Sequence, residues 1–323
     1  MLDAHLPIRI APNDDESGLG FCLRLAHSNG GTLPSLRRAL GVSQREAIKR
    51  GHAPALARLA GLDTEALSAL LPASHGRGAG TRLTCYGSRF RSRSAVRQRR
   101  PQLCPMCVWT HRYAKADWDL SLSTVCLEHC CYLIDRCPKC GAAIRWERPA
   151  IEWGHCGHSL GGSRQCAPAA EEHRLTQAIL SAALAQRSVE VLLDSAGLFP
   201  WFTKLSVDGW MNLILAVGLA TDRCAVPARG VFGRVPATDF AREVVCRGMR
   251  RLVAWSRSSL SSSELVDFVT EVPLIGMIVE PSGECDREIF MRVFSTLYGS
   301  KAVDQLKRSR LVLAQLDLFG GSA

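Results

Sequence analysis

Short apolar segments alternate with glycine and proline over the first 75 residues. In the stretch ESGLGFCLRLAHSNGG, apolar residues recur at the spacing of one helical face: Leu19, Cys22, Leu23 and Ala26. Ser17 is suited to cap the start of this helix, and Gly30 or Gly31 to end it. The pattern therefore predicts a first short helix between a serine cap and a glycine turn.

Three more short helices are predicted before residue 75. LPSLRRALG gives one, and HAPALARLAGLDTEALSALLP gives two, divided at Gly61, with Asp63 as a cap and Pro72 as a stop. Short helices with tight glycine turns favour a bundle similar to a helix-turn-helix. They are equally compatible with a plain helical domain, because helix spacing alone does not identify a DNA reader.

The last 150 residues also carry helical patterns. Asp208 is predicted to cap the apolar helix GWMNLILAVGLA, and Ser261 stands three residues before Glu264, as in a capping box. A further helix is predicted from Asp286 to Gly299. DFAREVVCRGMRRLVAWS carries an apolar stripe that consists of Phe240, Val244, Met249 and Leu252. These helices are expected to form a scaffold.

Composition narrows the class of protein. The chain has 323 residues, of which 47% are hydrophobic and 22% charged, so a globular protein of two or three modest domains is expected. The apolar run 210–220 is too short to cross a bilayer. The start of the sequence does not resemble a signal peptide, so a cytoplasmic, nucleoid-associated location is expected. The net charge of +10 suits an anionic partner, such as nucleic acid.

Positive charge is concentrated before the cysteine-rich region. No acidic residue occurs in residues 66–116, and RGAGTRLTCYGSRFRSRSAVRQRR alone carries eight arginines. Such a segment is either a solvated linker or a contact for polyphosphate, and the second is favoured here. Tyr86 and Phe90 could stack on bases. The predicted nucleic-acid contacts are Arg82, Arg89, Arg91, Arg93, Arg97, Arg99 and Arg100.

The cysteine-rich region has the spacing of metal ligands. Clustered cysteines in a reducing compartment favour metal binding over disulfides. Cys104 and Cys107 form one pair, and Cys126 with His129 forms another, which together complete a tetrahedral set for zinc. Trp118 lies in the gap between the two pairs and is expected to pack over the site.

A second set of zinc ligands opens at CPKCG. Cys137 and Cys140 are followed, after a short predicted hairpin, by Cys156. His158 is the favoured fourth ligand, and His155 is the alternate, because adjacent residues chelate one ion poorly. Cys166 could also complete this set, whereas Cys130 and Cys131 are expected to serve packing only. The sequence thus predicts two zinc ions per chain.

The order CPxC, CxxH, CPxCG and a closing cysteine beside glycine resembles the TniQ family, which includes target selectors of the TnsD type. The opening LPIRIAPNDDESGLGFCLRLAHSNG also resembles the start of that family, so the resemblance covers roughly residues 5–165. The chain departs from the family pattern near residue 154, where a cysteine is missing. This departure leaves the fourth ligand of the second set open.

The resemblance implies a role without catalysis. Members of this family select the insertion site of a transposon and recruit an AAA+ regulator of the TnsC or TniB type. Some read DNA directly, and others dock as dimers on a CRISPR effector of the Cascade type with its guide RNA. The adaptor role, in a homodimer, is favoured here over direct DNA reading, because no long C-terminal extension follows.

Two other classes of protein remain as alternatives. A nuclease of the HNH type also combines CxxC pairs with histidine, but it needs a catalytic histidine beside an aspartate. His129 follows Glu128 but is better used as a metal ligand, and no acidic pair stands nearby. A zinc-ribbon transcription factor or RNA-binding factor would fit the basic segment. No G-x-x-x-x-G-K-[ST] loop occurs, so ATP hydrolysis by that route is not expected.

The predicted fold is mainly α, with small β elements of the zinc-ribbon or zinc-finger kind. Its parts are a helix-turn-helix-like domain at 1–75, a basic linker at 76–103, a tandem zinc module at 104–165 and a helical domain at 166–323.

Overall fold

The computed structural model describes residues 5–43, 46–76, 82–162, 166–223, 234–302 and residue 304. It is mainly helical with few, short strands, as predicted. Two compact units are present: Met1–Arg187 with Arg229–Glu243, and Ser188–Ala228 with Val244–Ala323. Among the described residues, no helix combines the length and the apolar character needed to cross a bilayer. The helix-turn-helix character and the four-part division remain predictions.

The first unit contains six complete helices and all the described strands. Its helices are α1 (Gly18–Ser28), α2 (Leu33–Ala39), α3 (Ala53–Ala60), α4 (Thr64–Leu70), α5 (Pro105–Thr110) and α6 (Glu171–Leu184). Its strands are β1 (Ala73–His75), β2 (Arg82–Cys85), β3 (Ser88–Phe90), β4 (Val125–Cys126) and β5 (Cys131–Tyr132). The side chains of Ser17 and Asp63 accept hydrogen bonds from the first turns of α1 and α4, which confirms both predicted caps.

The basic segment predicted as a linker contains strands β2 and β3. They pair antiparallel, with Leu83 opposite Phe90, and β1 pairs with the other edge of β2. The turn between them consists of Tyr86 and Gly87, whose φ angles are 53° and 72°. Two successive residues with positive φ are typical of a type I′ hairpin turn, which glycine favours. The hairpin holds the start of the arginine-rich segment in a fixed conformation.

One hydrophobic core joins the N-terminal helices to the cysteine-rich region. Leu23 and Leu56 from the helices belong to the same buried cluster as Leu103, Trp118 and Trp146. Each of these side chains is at most 1% exposed. The metal ligands therefore rest on a sizeable core rather than on a small independent module.

A buried carboxylate lies between the first helix and the hairpin turn. Asp119 accepts hydrogen bonds through Oδ2 from the Ser17 hydroxyl (2.7 Å) and from the Tyr86 hydroxyl (2.5 Å). The Tyr86 oxygen also accepts a bond from the Gly18 amide. Desolvation by burial raises the pKa of Asp119 to about 7, although the Ser17 and Tyr86 hydrogen bonds oppose that shift.

We expect this carboxyl to make the protein less stable as pH rises. Asp119 keeps a proton in the folded chain up to about pH 7, whereas an unfolded aspartate loses it near pH 4. The unfolded state binds fewer protons in that window, so the free energy of unfolding falls. Between pH 5 and pH 8, wild type should lose about 2 kcal/mol more than Asp119→Asn, measured by urea unfolding with excess zinc.

Asp14→Asn is the matched control for this experiment. Asp14 is exposed on the same unit, so its variant should keep the wild-type dependence on pH. Any release of metal at acidic pH is common to all three proteins and cancels in the comparison. Equal pH dependence in wild type and Asp119→Asn would contradict the prediction.

The second unit is built from helices. They are α7 (Glu190–Ala196), α8 (Val207–Gly218), α10 (Ser262–Val266), α11 (Glu271–Val279) and α12 (Asp286–Tyr298), together with α9 (Thr238–Ser256) from Val244 onward. The predicted capping box of Ser261 and Glu264 is confirmed, as is the start of α12 at Asp286. The predicted cap of α8 is wrong. Ser206 accepts from the Gly209 amide (3.0 Å), whereas the Asp208 carboxylate accepts from the Ser282 hydroxyl (2.6 Å).

Candidate metal centre

The first group of candidate ligands gathers at the start of α5 and the turn after β4. Cys104 precedes α5 and Cys107 lies in its first turn, Cys126 ends β4, and His129 follows in the turn to β5. The ligand atoms of these four residues all lie within 4.8 Å of one another. The predicted pairing of the two short motifs is therefore present in the fold.

The distances fit a tetrahedral ion. His129 Nδ1 lies 3.1 Å from Cys107 Sγ, 3.6 Å from Cys104 Sγ and 3.7 Å from Cys126 Sγ. The sulfurs of Cys107 and Cys126 are 3.6 Å apart. An ion bound at about 2.3 Å from sulfur and about 2.0 Å from nitrogen separates its ligand atoms by about 3.5–3.8 Å. These four residues could hold one metal ion.

The chemistry of the donors also favours a cation. The three thiols of the group are buried. The contact with Cys104 raises the pKa of the Cys126 thiol to about 12, because neighbouring sulfurs resist the loss of successive protons. A divalent ion removes that penalty by binding the sulfurs as thiolates. Without an ion, the same buried sulfurs would not be stabilised as thiolates.

Three polar side chains adjoin the first group: His111, Lys115 and Glu128. Of these, only Glu128 was considered from the sequence. Glu128 receives a short contact from His111 Nε2 (2.6 Å) and an ion pair from Lys115 Nζ (3.2 Å). The contact with His111 is the main cause that lowers the pKa of Glu128 to about 2. Cys107, His111 and Glu128 also form a possible metal-binding group, which shares Cys107 with the first. His111 follows Cys107 by four residues, and this spacing is the sequence signal that could have indicated the third group.

The second group of candidate ligands contains three cysteines. The ligand atoms of Cys137, Cys140 and Cys156 lie within 4.8 Å of one another, and the sulfurs of Cys137 and Cys156 are 3.6 Å apart. Cys137 is buried, whereas the other two are exposed. This group could hold a second metal ion.

The fourth ligand of the second group stays a prediction. In the part of the chain that the structure describes, neither His158 nor His155 joins the three sulfurs. The main-chain carbonyl of His158 accepts from the Gly154 amide (2.8 Å), which closes the turn around Cys156. A ring nitrogen of either histidine would have to move closer to coordinate the same ion.

Cys131 and Cys166 lie near the first group rather than the second. Cys131 Sγ is 3.6 Å from Cys104 Sγ, and the Cys131 side chain is buried. The contact with Cys104 raises the pKa of Cys131, and the nearby Cys166 adds to this shift. Cys130 is exposed. Cys131 thus packs against the first group as a fourth sulfur.

The arginines of the basic segment divide into exposed and interior residues. The exposed members are Arg82, Arg89, Arg93, Arg99 and Arg100. Arg91 is partly buried, and Arg97 is only 2% exposed. The Arg97 guanidinium donates to the carbonyls of Ser121 (3.3 Å) and Pro236 (2.9 Å). Arg97 therefore supports the fold and does not reach an external phosphate.

The two aromatic residues of the basic segment are not positioned for base stacking. Phe90 is 1% exposed and belongs to the interior of the unit. The Tyr86 hydroxyl is bonded to Asp119. The expectation that these rings stack on bases is therefore wrong.

The fold and the ligand groups define a class: a mainly helical protein with two sulfur-rich groups able to hold metal ions. The sequence model of the TniQ family matches residues 7–133. Over these residues the chain is similar to the TniQ family, which confirms the resemblance seen in the ligand order. A search among curated proteins found no match.

The family match has a direct consequence for function. The TniQ family consists of non-catalytic accessory proteins of DNA transposition, which implies a role in target selection. The matched residues include the complete first group of ligands, from Cys104 to His129. They end before Cys137, so the second group lies outside the match.

Proposed function

We propose that this chain is a non-catalytic adaptor that selects target sites in DNA transposition, and that it connects a nucleic-acid-bound targeting complex to an AAA+ regulator. The observation that carries the proposal is the first ligand group, which lies inside the TniQ region with distances suited to one tetrahedral ion. The targeting complex in this proposal is a CRISPR effector with its guide RNA, and the adaptor acts as a homodimer.

The ions in this proposal are zinc, one in each group. Three sulfurs and one imidazole nitrogen are a donor set that zinc favours in structural sites. Cys104, Cys107, Cys126 and His129 would hold the first ion, and Cys137, Cys140 and Cys156, with His158 as predicted fourth ligand, the second. Zinc supplies rigidity here, because it joins α5 to the turn between β4 and β5.

The surfaces for protein partners are proposed to lie partly outside the family region. The second unit carries exposed apolar side chains on its helices, among them Val191 on α7 (81% exposed) and Val272 on α11 (54%). Such residues are suited to protein contacts when a partner covers them. This supports a division in which the first unit carries the family function and the second adds partner contacts.

Co-purification tests the adaptor proposal. The tagged full chain is expressed with an AAA+ transposition regulator, with and without a CRISPR effector and its guide RNA. The proposal expects the regulator to co-purify with the chain, and the effector to join them only when guide RNA is present. Absence of the regulator from the purified material in both cases would overturn the proposal.

Direct DNA reading is the second candidate, and the net charge of +10 favours it. A direct reader would protect one DNA sequence from nuclease digestion without any guide RNA. An adaptor would show no preferred sequence in the same footprinting experiment. The two candidates are thus separated by one measurement on the purified chain.

A further inference from the structure

A large basic cavity lies on the first unit beside the second metal group. Its volume is about 980 Å³. Three of the segments that line it carry arginines: α2 with Arg37, the end of the basic segment with Arg99 and Arg100, and the stretch after Cys140 with Arg145 and Arg148. We call this cavity the arginine groove. Among its arginines, only Arg99 and Arg100 were predicted from sequence as nucleic-acid contacts.

Both carboxylates of the arginine groove already have partners. Glu147 pairs with Arg37 (2.8 Å), and Glu46 pairs with Lys49 (3.1 Å). Arg99, Arg100 and Arg145 are exposed. The groove therefore presents an excess of positive charge to solvent.

A buried guanidinium in the wall lacks one of its hydrogen-bond partners. Arg148 is 3% exposed, and it donates through Nε to the Ala150 carbonyl (3.1 Å) and through Nη1 to the Arg145 carbonyl (2.7 Å). Within the described residues, its Nη2 has no partner, and neither has Nε of Arg37. Buried donors are normally satisfied, so both guanidinium groups are incompletely compensated within the described residues.

The position of Arg148 also favours the binding of an anion in the groove. Burial lowers the pKa of its guanidinium to about 9, which shows that the cation is poorly compensated in its surroundings. Its guanidinium lies 5.2 Å from the centre of the Trp146 ring, which fixes its orientation. A negatively charged oxygen in the groove would compensate this charge.

We propose that the arginine groove binds the phosphodiester backbone of a nucleic-acid strand. Guanidinium groups match phosphate oxygens in geometry, and exposed arginines from two segments can follow successive phosphates. No Phe, Tyr or Trp lines the groove in the part of the chain that the structure describes, so it contacts the backbone rather than stacking on bases. The inference deepens the proposed function, on which it rests for the biological role of the strand.

The second metal group borders this groove. Cys137 and Cys140 contribute to its lining, and the stretch that carries Arg145 follows directly after them. An ion bound by the three cysteines would hold this wall in place. The arginine groove thus gives the second metal group a purpose outside the matched family region.

A matched pair of triple variants tests the proposal in the full chain. The groove variant carries Arg99→Ala, Arg100→Ala and Arg145→Ala, and the control carries Arg9→Ala, Arg58→Ala and Arg174→Ala, which are also exposed on the first unit. Both lose three positive charges. Binding is measured by fluorescence anisotropy over a range of salt concentrations. The probes are labelled single-stranded DNA, RNA of the same sequence and duplex DNA.

The groove variant should bind at least one probe ten or more times more weakly than wild type. The slope of log affinity against log salt should fall by about 2, since each lost phosphate contact contributes about 0.7–0.9. The control should change far less. The probe whose affinity falls most identifies the bound strand as RNA, single-stranded DNA or duplex DNA.

Several results would overturn the proposal. They are wild-type affinity of the groove variant for all three probes, an equal loss in the control variant, and displacement of the probes by polyglutamate at equal charge concentration. Unchanged melting temperatures show that both variants fold. Co-purification of the groove variant with the AAA+ regulator reports on the proposed function separately, because a failure of that function removes the regulator from wild type as well.

Discussion

Replacing Cys107 with serine is expected to unfold the cysteine-rich part of the first unit. Cys107 Sγ is buried between Cys126 Sγ and His129 Nδ1, and a serine hydroxyl is a poor zinc ligand. Binding of structural zinc contributes on the order of 10 kcal/mol to folding. Limited proteolysis with mass spectrometry should therefore show cleavage between residues 100 and 165, where the wild-type chain resists.

Cys130→Ser is the matched control, because Cys130 is exposed and its sulfur is outside both ligand groups. This variant should resist protease like wild type. Elemental analysis should give two zinc ions per chain for wild type and Cys130→Ser, and fewer for Cys107→Ser. Protease resistance of Cys107→Ser at the wild-type level would contradict a structural ion, and iron in place of zinc would contradict the proposed metal.

Replacing Trp118 with alanine is expected to have the next largest effect. Trp118 is 1% exposed and belongs to the core shared by the N-terminal helices and the cysteine-rich region. In the sequence it stands between the two ligand pairs of the first group. Removing a buried tryptophan side chain leaves a cavity and costs about 3–5 kcal/mol of unfolding free energy. Denaturant unfolding followed by circular dichroism measures this loss.

Trp109→Ala supplies the comparison within the same region. Trp109 follows Cys107 by two residues in α5 but is 61% exposed. Its replacement should cost less than about 1 kcal/mol, as is usual for exposed positions. Equal losses in the two variants would show that Trp118 is not a core residue of the folded chain.

The first metal group could be predicted from sequence because its ligands stand in short motifs. A CxxC or CxxH turn brings two donors together locally, so only the pairing of two turns had to be inferred. Helix caps such as Ser17, Asp63 and Ser261 were predictable for the same reason. Ser206 was missed as the cap of α8 because Asp208, two residues on, offers an equally suitable side chain.

The interior role of Arg97 could not be predicted from sequence. A run of arginines is ordinarily solvated, and nothing local distinguishes Arg97 from Arg99. Its burial depends on carbonyls at Ser121 and Pro236, which are distant along the chain. The arginine groove was hidden for the same reason, since Arg37, Arg99 and Arg145 come together only in the folded unit.

The central claim is that this chain directs transposition to selected sites without catalysing it. The most direct measurement is the mapping of insertions by sequencing in cells that carry a donor transposon, its transposase and its AAA+ regulator, with and without this chain. The account predicts that insertions concentrate at one selected target when the chain is present. The fraction of insertions at this target should fall a hundredfold or more when the chain is absent. The same distribution of insertions in both cells would contradict the claim.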